Sequence, residues 1–231
     1  MMCAPCGGFI AKEGGAPMAD LKKLHDAVLA GDAQTAVAVT KEAIAEKMNP
    51  TALITEAMIP AMAEVGRLFE CQEYFVPELL LAARAMKGSL ELLRPLLAET
   101  GAQPTGRVII GTVKGDLHDI GKNLVASMLE GGGFEVTDLG ADVAPEKFVS
   151  AVQEKHPQIV CLSALLTVTM PAMKTTIEAM KQAGVRNQVK VLVGGAPVTR
   201  EYAKAIGADG YGENASVAVT VARQFCAGIP T

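Results

Sequence analysis

The residues of this chain whose types and spacing could do chemistry lie in one short stretch, residues 114–121, which reads KGDLHDIG. Asp116 precedes His118 by two residues, so its carboxylate can accept a hydrogen bond from one imidazole nitrogen and leave the other nitrogen free to bind a metal. The two other histidines, His25 and His156, belong to distant segments, which excludes a three-histidine metal site. A metal that takes one ligand from the protein must bring most of its ligands with it, and a macrocycle does so.

The elements that must position this stretch are predicted from the runs of apolar residues after residue 106, which alternate with helical patterns. Strands are predicted at residues 107–112, 134–139, 159–163, 189–193 and around 210–211, with helices at 120–130, 145–154, 170–183, 199–206 and 215–226. Strands that alternate with helices form a parallel sheet that is covered on both faces. Five such units predict a flavodoxin-like, doubly wound five-stranded parallel sheet domain over residues 107–231.

Three loops of this predicted domain should meet at one edge of the sheet. In doubly wound sheets a ligand binds at the carboxyl ends of the strands, at the switch point between strands 1 and 3. The loops that follow strands 1, 3 and 4 contain residues 114–121, 163–167 and 194–195. We therefore expect these loops to form the functional site.

The chain before residue 107 has a different pattern. Residues 1–19 are rich in Gly, Ala and Pro without periodicity, which predicts a disordered extension. Its Cys3 and Cys6 lack the second pair of ligands that a structural zinc site needs. Residues 20–98 have helical spacing of apolar residues throughout and predict a four-helix bundle. Residues 99–106 (ETGAQPTG) are predicted to be a linker between the two domains.

Composition limits the classes of partner and the compartment. The chain has 231 residues, with 21 Lys plus Arg against 25 Asp plus Glu, so it lacks the basic charge of a nucleic-acid-binding protein. The longest uncharged stretch, residues 157–173, is interrupted by polar residues and a proline, so no membrane span is predicted. The five cysteines are odd in number and irregularly spaced, which argues against a disulfide framework and indicates a reducing cytoplasm.

Two other ligand types that occur on this fold do not match the residues. A phosphoacceptor receiver domain has an Asp at the end of strand 3 and a Lys at the end of strand 5, where this chain has Ser163 and Tyr211. A flavodoxin has a phosphate-binding loop rich in Ser, Thr and Gly after strand 1, where this chain has Asp116 and His118.

The order Asp116-x-His118-x-x-Gly121, Ser163-x-Leu165 and Gly194-Gly195 resembles the binding signature of base-off, His-on cobalamin proteins. The resemblance implies that His118 is the cobalt ligand, that Asp116 is its hydrogen-bond partner and that Ser163 is the third member of this relay. The displaced nucleotide tail of cobalamin would lie in a cleft beside the sheet. The residues that the resemblance assigns to this cleft are Gly121, Leu165, Thr167, Gly194, Gly195 and, at its border, Tyr211.

The helical segment resembles the cap of methyl-transferring corrinoid proteins, through VGRLF at 65–69, YFVPE at 74–78 and AARAM at 82–86. In that family one aromatic and one aliphatic residue cover the upper face of the cobalt, and Phe69 and Val76 occupy these positions. The usual aliphatic residue is Leu, so Val76 departs from the pattern. Together the two resemblances run from about residue 20 to the end of the chain.

The resemblance implies a corrinoid methyl carrier of a methyltransferase system, with cobalamin or a related corrinoid as its cofactor. Co(I) would accept a methyl group from a substrate held by a partner methyltransferase, with methanol, a methylamine or a methoxyaromatic compound as the donor. A second methyltransferase would pass the group to tetrahydrofolate or a thiol, and a reductive activase would restore the cobalt. The chain would be non-catalytic alone, and the linker at 99–106 would be the hinge for movement of the cap.

Two other functions share parts of this signature. A cobalamin-dependent sensor or regulator has the same cap and sheet, but usually adds a DNA-binding domain. An adenosylcobalamin mutase small subunit has the Asp-x-His motif, but would not need Phe69 and Val76 as a cap.

Overall fold

The computed structural model describes residues 20–100 and 103–229, with backbone only at 98–100. The predicted extension with Cys3 and Cys6 lies outside the described residues. A helical bundle comes first and a five-stranded sheet flanked by helices follows, as the sequence pattern predicts. None of the helices described is both long enough and apolar enough to cross a membrane.

The first three helices of the bundle begin at side-chain caps. The elements of the bundle are α1 (Leu21–Leu29), α2 (Ala33–Ala45), α3 (Pro50–Ala52), a π-helical segment (Leu53–Met58), α4 (Ile59–Glu70) and α5 (Val76–Thr100). The side chains of Asp20, Asp32 and Asn49 accept hydrogen bonds from backbone N–H groups of the first turns of α1, α2 and α3. The π-helical segment comes just before Pro60, which has no N–H to give to the α-helical ladder.

The last helix of the bundle is longer than the sequence pattern predicts. α5 ends at Thr100, so the first two residues of the predicted linker, 99–106, belong to the helix. The physical reason is that the first glycine of this stretch is residue 101, and neither Glu99 nor Thr100 ends a helix by itself.

The second domain is a parallel sheet with the strand order β2-β1-β3-β4-β5. The strands are β1 (Arg107–Thr112), β2 (Glu135–Asp138), β3 (Ile159–Ser163), β4 (Lys190–Gly194) and β5 (Gly210–Gly212). The helices are α6 (Ile120–Gly131), α7 (Pro145–Lys155), α8 (Pro171–Gln182), α9 (Arg200–Ala205) and α10 (Ala215–Cys226). All four strand pairs are parallel, which confirms the doubly wound fold.

The two faces of the sheet belong to two separate apolar cores, because successive side chains of a strand point to opposite faces. Ile109, Val160 and Val191 pack on one face with α7 and α8. Ile110 and Cys161 pack on the other face, in a core that continues through α6 and α10 into the bundle. The bundle is therefore joined to the sheet domain by continuous apolar packing.

Close contacts of small residues bring the bundle against α6 and α10. A Cβ added at Gly66 of α4 would lie 2.5 Å from Oγ of Ser216, and one added at Gly131 would lie 2.8 Å from the Met62 side chain. This packing places the end of α4, with Phe69, beside the carboxyl edge of the sheet.

Candidate functional site

The predicted loops meet at the carboxyl edge of the sheet. The strand register pairs Thr112 with Ser163, Ser163 with Gly194, and Gly194 with Gly212, so four strands end side by side. The loop with Asp116 and the segments after β3, β4 and β5 therefore begin next to one another at the carboxyl edge of the sheet.

His118 is held by the carboxylate two residues before it. Asp116 Oδ1 lies 2.8 Å from Nδ1 of the imidazole and also accepts the backbone N–H of His118 at 3.0 Å. Thr112 Oγ1 donates to the carbonyl of His118 at 3.2 Å. Asp116 is fully buried, whereas half of the His118 side chain is exposed. The ring is thus fixed at its inner nitrogen and open at its outer edge.

The second carboxylate oxygen of Asp116 is saturated by the segment after β3. Asp116 Oδ2 accepts from Thr169 Oγ1 at 2.6 Å and from the backbone N–H groups of Leu165 at 2.7 Å and Leu166 at 3.3 Å. Burial would by itself raise the pKa of Asp116, but these hydrogen bonds and those from His118 hold the pKa well below its usual range. Asp116 is therefore a carboxylate at neutral pH and can only accept.

This places a proton on one nitrogen of the histidine ring. A carboxylate has no proton to donate, so Nδ1 of His118 must carry one. In the neutral ring Nε2 then has a lone pair, and it has no hydrogen-bond partner among the residues that the structure describes. One imidazole nitrogen is thus available to a metal. No group of three or more His, Cys, Asp or Glu side chains suited to a metal occurs within residues 20–100 and 103–229.

Thr169, not Ser163, is the third member of the predicted relay. Ser163 is the last residue of β3 and lies on the strand face of Cys161, so its side chain lines the cavity described below. The chain then turns through residues 164–170 and brings the buried Thr169 back to Asp116. The prediction for Ser163 in the relay was wrong because this turn is not visible in the residue pattern.

A cavity of about 580 Å³ opens beside His118, between the sheet edge, α6, α10 and the end of α4. Predicted residues that line it are Phe69, His118, Gly121, Ser163, Leu165, Gly194 and Gly195. Lining residues that the sequence analysis did not single out include Leu117, Ile120, Lys122, Cys161, Glu213 and Asn214. An elongated group could enter this cavity while another part of it contacts the imidazole.

The glycines of the cavity have two separate roles. A Cβ added at Gly121 would meet no atom within 4 Å, so a side chain there would occupy free space in the cavity. Gly195 has a φ of +131°, and a Cβ there would lie 1.9 Å from the carbonyl oxygen of Ala164. Gly121 therefore keeps the cavity open, and Gly195 allows two loops to approach each other.

Exposed apolar side chains surround the imidazole. Leu117 is 75% exposed and Ile120 is 84% exposed, and they lie on either side of His118 in the sequence. Leu165 and Leu166, on the neighbouring loop, are also exposed. Leu117, Ile120 and Leu165 also line the cavity, and exposed apolar side chains grouped in this way are typical of a ligand-binding or interaction site.

Lys122 is a buried cation in the wall of the cavity. Its ammonium group pairs with the carboxylate of Asp138 at the end of β2 and donates to Asn123 Oδ1 at 2.6 Å. The pair connects the first turn of α6 to β2. A lysine directly after Gly121 gave no sequence signal of burial, because lysine is usually exposed.

Besides the fully buried Asp116, three residues predicted for the site do not line the cavity. Tyr211 points to the opposite face of the sheet, where its ring lies 5.9 Å from the Arg200 guanidinium carbon. Thr167 is exposed in the turn after β3. Val76 is exposed at the start of α5, while Phe69 reaches the cavity from the end of α4. The alternation of side chains along β5 explains Tyr211, since the Cβ positions of its two glycine neighbours face α10.

Comparison with known proteins gives matches along nearly the whole described chain. Two family models, both described as a B12 binding domain, match residues 20–94 and 106–220. The chain is 46% identical over 201 residues to trimethylamine corrinoid protein 2 of Methanosarcina mazei, which covers 86% of this chain and 92% of the relative. It is 42% identical over 208 residues to dimethylamine corrinoid protein 1 of Methanosarcina acetivorans, which covers 90% of this chain and 97% of the relative.

A solved structure is similar over both domains. The methanol:cobalamin methyltransferase complex from Methanosarcina barkeri matches with a TM-score of 0.79 and 30% sequence identity, over 91% of this chain and 80% of the matched chain.

Proposed function

Because this chain belongs to the family of corrinoid proteins of methyltransferase systems, we propose that it carries methyl groups between two methyltransferases. Its cofactor is cobalamin or a related corrinoid. The observation that carries the proposal is the pairing of buried Asp116 with half-exposed His118 at the mouth of the cavity.

His118 is the residue that would bind the cobalt. Asp116 accepts a hydrogen bond from Nδ1, so Nε2 is the ring nitrogen that remains to act as the ligand. Thr169 and the backbone of the segment after β3 hold the carboxylate in place, which limits rotation of the ring. The protein would thus supply one oriented nitrogen to the cobalt, and the corrin ring would supply most of its other ligands.

The rest of the site fits a corrinoid by shape and polarity. Leu117 and Ile120 present apolar surface beside the imidazole, where the flat ring would cover it. The cavity that Gly121 keeps open would receive the nucleotide tail. Phe69 reaches this region from the bundle and would contact the bound corrinoid.

When bound, the corrinoid supplies a cobalt centre that can accept and release a methyl group, and no side chain of this protein needs to form a bond to the substrate. The side chains bind the ring, orient it and exclude water from it. Since Phe69 of the bundle lines the cavity, the bundle would lie over the bound corrinoid, and a partner would have to displace the bundle or enter beside it. Displacement of the bundle would separate the continuous core that it shares with the sheet domain, which makes displacement costly without a bound partner.

A methylamine is the methyl donor that we propose, because the relatives above are described as trimethylamine and dimethylamine corrinoid proteins. The donor would be held by a partner methyltransferase, since the cavity of this chain would be filled by the cofactor. A second methyltransferase would deliver the methyl group to a thiol or tetrahydrofolate, and a reductive activase would maintain the cobalt. The free thiols of Cys71, Cys161 and Cys226 agree with a cytoplasmic location.

Transfer of a labelled methyl group tests the proposal. The reduced, corrinoid-loaded protein is incubated with ¹⁴C-methyl trimethylamine, dimethylamine or methanol, each with its methyltransferase, and is then separated by gel filtration. We expect label on the protein, together with a change in the corrinoid spectrum, with a methylamine and its enzyme. The same chain with His118→Ala is the control for the site, and we expect its labelling rate to fall at least tenfold.

Two outcomes would oppose the proposal. Labelling from methanol alone would move the donor class from amines to alcohols. No labelling from any of the donors, combined with a light-dependent change in oligomeric state of the adenosylcobalamin-loaded protein, would favour the sensor instead.

A further inference from the structure

Asp142, in the loop between β2 and α7, has backbone geometry that nothing in its own segment requires. Its φ is +52°, in the left-handed region that non-glycine residues rarely adopt. The other non-glycine residues with positive φ in the described chain are Lys47, Gln72 and His156, and each follows the last turn of a helix. Left-handed residues commonly end helices, so those three have a local explanation, whereas Asp142 does not.

The explanation for Asp142 is its contacts with the loop that carries His118. Its backbone N–H donates to the carbonyl of Asp116 at 2.9 Å. Its Oδ1 accepts the N–H of Gly115 at 2.8 Å, and Lys114 Nζ lies 3.0 Å from Oδ1 and 3.1 Å from Oδ2. The backbone and the side chain of one residue therefore hold successive residues of the neighbouring loop. Left-handed geometry at Asp142 accompanies both contacts.

These contacts complete the support of Asp116. The segment after β3 holds the carboxylate of Asp116 through Leu165 and Thr169. Asp142, which follows β2, holds the backbone on the other side. β1 lies between β2 and β3, so the loop after β1 is fixed by both neighbouring strands. Because Asp116 orients His118, a shift of this backbone would move the imidazole.

We propose that Asp142 is a positioning residue for His118, which it keeps in the orientation that binds the corrinoid by holding Gly115 and Asp116. This inference rests on the proposed role of His118 as the protein ligand of the cobalt. Asp142 contacts residues 114–116 and not the imidazole itself, so it would influence the orientation of His118 through the backbone of this loop. The ion pair with Lys114 is exposed on both sides and contributes little by itself.

Substitution by glycine separates positioning from folding. Asp142→Gly removes the acceptor for Gly115 but relieves the left-handed backbone, so we expect the melting temperature of the apoprotein to stay within about 3 °C of the native value. Asp142→Asn keeps an oxygen acceptor and tolerates left-handed φ, so it should preserve function. Lys47→Gly also replaces a left-handed residue with glycine, in the connection between α2 and α3 of the bundle, and is the matched control.

The experiment is a titration of the full chain with hydroxocobalamin by isothermal calorimetry, in the native and the His118→Ala backgrounds. Loss of one hydrogen bond to the loop should weaken binding about fivefold for Asp142→Gly in the native background. We expect no further weakening when Asp142→Gly is added to His118→Ala, because the residue acts through the imidazole. Asp142→Asn and Lys47→Gly should bind within about twofold of the native chain, as expected when that hydrogen bond is kept or untouched.

The outcomes distinguish failure of the positioning role of Asp142 from failure of the proposed role of His118. If Asp142→Gly weakens hydroxocobalamin binding equally in both backgrounds, Asp142 has a general structural role and the proposal is overturned. The proposal is also overturned if Asp142→Gly binds hydroxocobalamin as tightly as the native chain, or if Asp142→Asn binds it as weakly as Asp142→Gly. If His118→Ala binds hydroxocobalamin as tightly as the native chain, and ¹⁵N-histidine labelling of native protein leaves the EPR spectrum of bound cob(II)alamin unchanged, the proposed function fails at its ligand regardless of Asp142.

Discussion

Replacing Thr169 with valine removes the hydroxyl that donates to Asp116 and preserves the shape of the side chain. The O–H···O distance of 2.6 Å and the burial of both residues make this a charge-assisted hydrogen bond in a dry environment. Loss of such a bond beside a buried carboxylate should lower the free energy of unfolding by about 2–3 kcal/mol. The N–H groups of Leu165 and Leu166 remain, so Asp116 keeps partners and the domain still folds.

The assay is urea unfolding of the apoprotein at pH 7, with circular dichroism as the signal that monitors unfolding. The folded-state pKa of Asp116 is lowered, so the stability that its ionised form contributes is complete at pH 7 and is lost only as the pH falls below about 4. Thr176→Val is the matched control, because Thr176 is also buried but its hydroxyl donates only to a backbone carbonyl, that of Ala172. We expect the control to cost less than about 1 kcal/mol.

Ser163→Ala distinguishes the observed relay from the one that the sequence predicts. Ser163 lines the cavity and does not contact Asp116 in the described structure, so its loss should change the free energy of unfolding by less than about 0.5 kcal/mol. If Ser163→Ala destabilises the protein as much as Thr169→Val, or if Thr169→Val costs no more than the Thr176 control, then the assignment of Thr169 to the relay is refuted.

Four further substitutions or treatments test other parts of the structure. Ser89→Ala should stabilise the protein by about 1 kcal/mol in urea unfolding, because the buried hydroxyl has no hydrogen-bond partner in the described chain; a loss of stability would reveal a partner. Gly121→Val should leave the apoprotein folded but weaken hydroxocobalamin binding at least tenfold, and unchanged affinity would place the nucleotide tail elsewhere. Gly195→Ala should prevent stable folding, because a Cβ there overlaps the Ala164 carbonyl; a cooperative unfolding transition near the native midpoint would contradict this. Burial raises the pKa of the Cys161 thiol from 9.0 to about 12, so peptide mapping after iodoacetamide treatment at pH 8 should find Cys71 alkylated and Cys161 intact. The free energy of unfolding should fall by up to about 1.4 kcal/mol per pH unit above pH 9, because the thiol ionises first in the unfolded chain. Rapid labelling of Cys161 would disprove its burial.

The sequence by itself determined the order of elements and the place of the site. β1 and β3 are short apolar runs bounded by polar or glycine residues, and strands that alternate with helices can only form a covered parallel sheet. The loop with Asp116 and His118 follows β1 directly, so its place at the carboxyl edge follows from chain direction. The contact between the two side chains also follows from the sequence, because they are two residues apart in one loop.

The tertiary structure decided which distant groups complete this local pair. Thr169 donates to Asp116 across 53 positions, and Asp142 holds Gly115 across 27 positions. Both depend on the path of a turn after a strand, and a residue pattern does not record that path. The side of the sheet that Tyr211 faces was decided in the same way, by the pairing of β5 with β4 and the packing of its glycine neighbours on α10. Spacing along a chain determines contacts within one loop, whereas contacts between loops require the packed fold that brings their strands together.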